Sequence, residues 1–376
     1  SRTKDDGLAH DLKTGSYFSS ALEKSIPDFY GQLGQPDGDN YVGYYNGTLI
    51  SDSLLNMKYL LQAKDKAELA LSSSAKVDLN VTSYRPDTKL YTLRAQTAQT
   101  RIYQNPYAIG LGYSADKKLK QLKVLYDQPL TYQTNWLNAA TGSANTTKYF
   151  YAANFNEVVF QNTKKQTNLT GAFFKKTDLA KPAQIIFKFT PETDDPYYLT
   201  LGASLDGDSA TWYLGSKEYP YYKTFRHTVV LNPTVSGSDD EVVITAKFKK
   251  NSLWLENFVL YRMDRSLVEQ KLKQLQKNSW QLTKATAHRL TGKIDITKPN
   301  QLFATTIPYS KGWQAKVDGK PVKTYKLQNT FVGLDISQGK HQVTLTFTPP
   351  GLYLGIVLSL VSLVLVFILD LRETKA

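Results

Sequence analysis

Apolar residues follow three rhythms along this chain, and each predicts a different kind of element. Over residues 16–33, Leu22, Ile26 and Phe29 recur at close to helical spacing until Gly31, Gly34 and Pro36 break the pattern. The run SDSLLNMKYLL, residues 51–61, reads as a capped short helix passing into a strand. Residues 76–87 and 89–93 alternate as strands, with Leu79, Val81 and Leu90 as inward positions. From residue 141 alternation dominates: Ile185, Phe187 and Phe189 share one face of a strand, as do Val242, Ile244, Ala246 and Phe248. The turn clusters PETDDP, LDGDS and NPTVSGSDD separate such runs at the spacing of a β-sandwich.

Residues 264–278 return to a helical rhythm. Val268, Leu272 and Leu275 form a narrow apolar stripe, and Ser266 with Glu269 has the spacing of a capping box. Beyond it Trp313, Ala315 and Val317 alternate up to Asp318-Gly319, a strong hairpin signal, with Pro321 and Val322 on the return. The last strand turns Val343, Leu345 and Phe347 one way and Gln342, Thr344 and Thr346 the other. Pro349, Pro350 and Gly351 end it.

The third rhythm is the lack of one. Residues 352–369 read LYLGIVLSLVSLVLVFIL without a charge. A helix of that length spans about 27 Å, close to the roughly 30 Å hydrocarbon core of a bilayer. The elements together predict an α+β membrane-proximal domain (1–140), a jelly-roll-like β-sandwich (141–263) and a connector helix (264–279). A second, small β-sandwich (280–350), a C-terminal transmembrane helix (351–371) and a short tail (372–376) complete the expected order.

Composition sharpens this picture in two places. The 46 Lys and Arg against 33 Asp and Glu leave a charge of +13, which suits an anionic partner or simply solvates a basic surface. The cations are spread without a long run, which argues against nucleic acid. No cysteine occurs, in keeping with an exterior location without disulfides. Arg372 and Lys375 follow the span directly, whereas the nearest upstream cation is Lys340. That bias predicts a cell-membrane protein with its bulk extracytoplasmic and its tail cytoplasmic. No LPxTG-like sorting motif precedes the span.

Several stretches carry a family resemblance. IPYSKGWQAKVDGKPV from Ile307, FVGLDISQGKHQVTLTFTPPG from Phe331 and the start of the span resemble the C-terminal end of YfhO-type bacterial membrane proteins. RTKDDG from Arg2, YNGTLISDSLLNMKYLL from Tyr45 and RIYQNPYAIGLGY from Arg101 fit the same family in order. The resemblance implies a polytopic glycosyltransferase of the lipid-linked-sugar type. Such a protein would transfer sugar from a polyprenyl-phosphate donor to an anionic cell-surface polymer, with lipoteichoic acid as the acceptor suggested for Gram-positive members. It further implies that the many-helix membrane part, with the catalytic carboxylate, lies outside this sequence, so no catalytic residue is assigned. No cofactor is expected in this portion, and the resemblance leaves room for a divalent cation in the parent protein. The competing classes are a membrane-tethered wall- or carbohydrate-binding protein without catalysis and a cytosolic tail-anchored protein.

The candidate site residues fall in those stretches. Asp5 and Asp6 would lie at the membrane face, where paired carboxylates can hold a cation or an acceptor hydroxyl, and Arg2 could bind a donor phosphate. Asn46, Asp52, Lys58 and Tyr59 suggest a donor or acceptor groove; a turn and a helix cap would equally account for them. Trp212, Tyr213, Tyr221 and Tyr222 could stack on sugar rings, or could serve packing. The histidines show no metal-ligand spacing, and no metal site is expected.

Overall fold

The structure is a computed structural model that describes residues 5–64, 85–202, 209–218, 226–235 and 240–373. It is built mostly from small antiparallel sheets with few helices. A five-stranded sheet runs Lys217–Glu218, Ala210–Leu214, Val242–Phe248, Gln184–Phe189, Glu157–Gln161. A four-stranded sheet runs Val229–Val235, Pro196–Leu201, Val259–Met263, Phe150–Ala153. Both feed one apolar core, in which Ile185, Phe187 and Phe189 of the first meet Leu199, Leu231 and Leu260 of the second. The expected inward faces of the 183–190 and 241–248 strands hold, Val242 alone being half-buried.

A second five-stranded sheet runs Gln281–Ala285, Arg289–Ile296, Gly339–Phe347, Trp313–Val317, Lys320–Val322. Its Asp318-Gly319 hairpin takes the left-handed backbone that the pair predicts, with φ of 51° and 81°. Val343 and Leu345 point into a core with Trp280, Ile294 and Phe303. Beside it, Thr324–Leu327, Phe331–Leu334, Gln301–Pro308 and Gly112–Asp116 form one sheet. Strand Gly112–Asp116 thus brings the first third of the chain into register with the last, pairing Gly112 with Thr305 and Asp116 with Gln301.

The helices gather where these parts meet. Helix Pro129–Thr141 starts on Pro129 and ends on Gly142, whose φ of 71° forms the left-handed C-cap. Its Trp136 is fully buried against Phe29 of helix Ser25–Gln32 and against Phe331. Helix Arg265–Gln276 buries Val268, Leu272 and Leu275 in the same core. Its cap differs from the expectation. The Asp264 carboxylate accepts from Leu267 N at 2.9 Å, while Glu269 turns sideways to Arg265 at 2.6 Å. A carboxylate one residue before the helix reaches the N3 amide better than Ser266, which already lies inside it.

Two further expectations shift. Residues 16–33 are helical only over Ser25–Gln32, because Tyr17–Phe18 pairs with Tyr41–Val42 as a short strand. The 51–61 run is a helix followed by a strand as expected, but the helix is Leu49–Leu54, capped by Thr48 and Ser51 reciprocally. The expected strand at 76–87 lies mostly outside the described residues. Leu90 is buried, though on the 3-10 turn Pro86–Leu90 rather than on a strand.

The chain ends in helix Leu352–Glu373, of which Leu352–Asp370 has mean hydropathy 2.9 and is 0% buried. It is long and apolar enough to cross a membrane. Leu360→Arg places a charge near mid-span, which costs about 2.5–3.5 kcal/mol on insertion scales. Carbonate-resistant membrane retention of the chain is expected to fall; full retention would show that this helix does not span.

Candidate functional site

A cleft of 670 Å³ opens where the helices meet the second five-stranded sheet. One wall is the end of helix Leu49–Leu54, where Asn56 closes the helix in a left-handed conformation at φ 57°. Its side-chain oxygen accepts from Gly110 N at 3.0 Å. The opposite wall is the turn that begins at Asn105. Asn105 Nδ2 donates to Ser53 Oγ and to the Met57 carbonyl, both at 3.3 Å, and its Oδ1 accepts from Tyr107 N at 2.9 Å. Gln276, at the end of its helix, donates to the carbonyls of Pro106 at 2.8 Å and Ala108 at 3.1 Å. The amides that define the two walls therefore spend themselves on fixing backbone, which gives the cleft a preformed shape.

Phe29 and Phe331 line its inner side, packed edge-to-face at 4.7 Å, and Trp280 flanks it. Lys13 and Lys58 supply its cations, and Tyr30 is its one other ionisable group. Burial pushes the Tyr30 phenol far above its usual range, so it stays protonated. No carboxylate or imidazole is among the lining residues. The two cations suit a ligand with negative charge, while Phe29, Trp280 and Phe331 are buried and floor the cleft rather than offering open ring faces. Such a lining can hold and orient that ligand.

Just behind this wall lies a buried ionic network. Arg85 is 5% exposed and grips Asp87 bidentately at 3.0 and 2.7 Å while reaching Asp52 at 2.7 Å. Tyr44 donates to the other Asp52 oxygen at 2.6 Å, and Tyr91 donates to Asp52 as well. Asn232 donates to Asp87 at 3.0 Å and to the Gly47 carbonyl at 3.1 Å. Burial opposes the Arg85 charge, but the two aspartates outweigh it and hold the guanidinium well above its usual pKa. Burial likewise raises Asp87 against the pull of Arg85, and raises Tyr44 and Tyr91. Every ionised group here has its partners, and none faces the cleft. The network ties residues 44–52 to the 85–91 turn and to strand Val229–Val235.

These positions sort the residues singled out from the sequence. Among the described ones Lys58 alone lines the cleft; its neighbour Tyr59 is half-exposed on strand Tyr59–Ala63, with the ammonium 5.6 Å from its ring centre. Asp52 is not a groove ligand but the hub of the buried network. Asn46 is buried too, its carbonyl accepting from Gln35 at 3.0 Å. Asp5 accepts from Phe18 N at 2.9 Å and so pins a turn, and Asp6 opens the four-residue helix Asp6–Ala9. Trp212 is packed in the core against Phe187 and Phe258, because strand alternation turns it inward, and so presents no stacking face. Tyr213 points the other way and lies under Lys247 at 4.5 Å. Arg2, Tyr221 and Tyr222 lie outside the described residues. Sequence reasoning missed Lys13, Tyr30, Trp280 and Phe331, which no local pattern links.

The chain is a β-rich body with a preformed cleft and one apolar C-terminal helix long enough to cross a membrane. The chain belongs to the YfhO family: the family described as "Bacterial membrane protein YfhO" matches residues 1–359. It is similar to the uncharacterized protein YfhO of Bacillus subtilis (strain 168), 29% identical over 149 residues. That match covers 38% of this chain and 16% of the relative, so the chain spans under a fifth of the relative's length. Among solved structures, arabinofuranosyltransferase AftD from Mycobacteria overlaps 40% of this chain and 12% of its own, at 9% identity and a TM-score of 0.18. A mutant form of AftD gives 41%, 13%, 10% and 0.17. Overlaps this loose define no shared fold.

Proposed function

We propose that this chain is the extracytoplasmic part of a polytopic, glycosyltransferase-like membrane protein, and that its cleft holds the sugar-accepting substrate. The donor in this reading is a polyprenyl-phosphate-linked sugar, and the acceptor an anionic cell-surface polymer such as lipoteichoic acid. One observation carries it. Stretches that resemble the family but lie far apart in sequence meet at the cleft: residues 55–58, six of residues 104–111, Pro308 and Phe331 line it. Lys13 and Lys58 match the acceptor's charge. The shared core of the two larger sheets supports reading residues 141–263 as a β-sandwich that buttresses this site.

The test is sugar incorporation into surface polymer by the longer parent protein, at matched protein levels. Lys58→Glu is expected to lower it about tenfold or more, equivalent to roughly 1.4 kcal/mol. Wild-type incorporation would leave only a tethered binding module. Sidedness is tested separately, since the chain has no cysteine of its own. An impermeant thiol reagent is expected to label Thr286→Cys in intact cells and to spare Thr374→Cys; the reverse result inverts the topology.

A further inference from the structure

The end of the second five-stranded sheet that meets the apolar helix is basic and aromatic. Strand Gly339–Phe347 leads into helix Leu352–Glu373 through four residues, a reach of at most about 14 Å. Two loops are fastened to that exit. Phe347 N donates to the His288 carbonyl at 2.8 Å, and Thr348 N donates to the Gly312 carbonyl at 3.0 Å. Lys284 and Arg289 lie on the two strands that flank the first loop, Lys311 lies in the second, and all three residues are exposed. No ion pair joins any of them to a described carboxylate. The acidic residues of 280–350 are Asp295, Asp318 and Asp335, against ten Lys and Arg. They sit elsewhere: Asp295 is in register with Lys340 at the far end, Asp318 pairs with His341, and Asp335 pairs with Lys120. Trp313 and Phe347 pack at 5.1 Å on the same rim, and Tyr353 is 72% exposed in the first turn of the helix.

Unpaired cations beside a span attract anionic headgroups within a Debye length, and amphipathic aromatic rings settle at headgroup depth. We infer that Lys284, Arg289 and Lys311 form a collar that binds anionic lipid headgroups and seats the small β unit on the bilayer. Seating has a consequence for the cleft. Pro308, which lines it, ends strand Gln301–Pro308 three positions before Lys311, so the collar fixes one wall of the cleft close to the membrane surface.

The absence of native cysteine allows a single fluorophore at Ser310→Cys, with Gly319→Cys at the opposite end of the sheet as reference. The 376-residue chain is reconstituted through its helix into phosphatidylcholine bilayers with or without phosphatidylglycerol, and quenching by headgroup-labelled nitroxide lipid is read. Quenching at position 310 is expected to be roughly twofold or more stronger in the anionic bilayer, to fall to the zwitterionic level in high salt, and to be unchanged at 319. K284E/R289E/K311E should lose the anionic increment. Salt titration of the otherwise unaltered chain gives the same answer should the triple variant fold poorly. Equal quenching in both bilayers overturns the inference. So does a response at 310 to soluble inorganic polyphosphate with none to anionic lipid, which would make the collar a polymer site.

Discussion

Arg85→Met is expected to destabilise the folded chain by about 3–5 kcal/mol, the range for removing one partner of a buried ion pair. The guanidinium serves two carboxylates at once, and Asp52 and Asp87 are 2% and 0% exposed, so neither can recover its lost partner from water. Methionine keeps most of the volume, so the loss is electrostatic rather than a cavity. Changing Asp52 and Asp87 to Asn in the same chain is expected to restore much of it, because replacing every buried charge removes the uncompensated ones. The pH dependence has a definite sign. Arg85 pulls the Asp87 pKa down against burial, so its removal lets that pKa rise further above the unfolded value. A raised folded pKa means that the folded state binds the proton more tightly, and stability then falls as pH rises through the window between the two values. The Arg85→Met deficit is therefore expected to be smaller at mildly acidic than at neutral pH, read from urea midpoints. A deficit that grows on acidification would show that Asp87 is ionised for reasons other than Arg85.

The same network marks how far the sequence could be read. Asp52 stood out because it sits in a stretch resembling the family, yet a groove residue and a network hub look alike until Arg85 is placed beside it. The two are 33 positions apart, and the chain between them leaves no periodic trace of the pairing. Short-range signals translated well: the Ile185, Phe187 and Phe189 face, the Asp318-Gly319 hairpin and the apolar span each rest on contacts within a few residues. Helix Pro129–Thr141 escaped notice because it is covered nearly all round, with Gln133 and Asn138 also buried, and so lacks a polar stripe. Those amides are satisfied beyond the helix, Gln133 by the distant Leu33 carbonyl at 2.9 Å and Asn138 by the Thr147 carbonyl at 2.9 Å in the loop that follows. Trp212 misled in the opposite way. An aromatic dipeptide in a strand must send one ring inward, and only the sheet's position shows which.

Trp136→Ala is expected to cost about 3–5 kcal/mol and to loosen the cleft from behind. Trp136 is fully buried and stands at the junction of three segments. It meets Phe29 edge-to-face at 5.5 Å, stacks over Phe331 at 6.4 Å and tilts against Tyr132 at 6.5 Å. Phe29 and Phe331 are themselves cleft-lining residues, so the void would open directly beneath the binding surface. A chain with several core clusters need not unfold in one step, and a single midpoint would blur the effect. Hydrogen exchange separates the parts. Amide protection is expected to drop roughly 100-fold or more in helices Ser25–Gln32 and Pro129–Thr141, whose side chains share the Trp136 cluster. Strands Gln184–Phe189 and Val242–Phe248 belong to another cluster and should keep theirs. Trp136→Phe, which retains a ring against Phe29, should fall between the two. Equal loss of protection in all four elements would show that the clusters unfold as one unit, and no loss in the two helices would remove Trp136 as the support of the cleft.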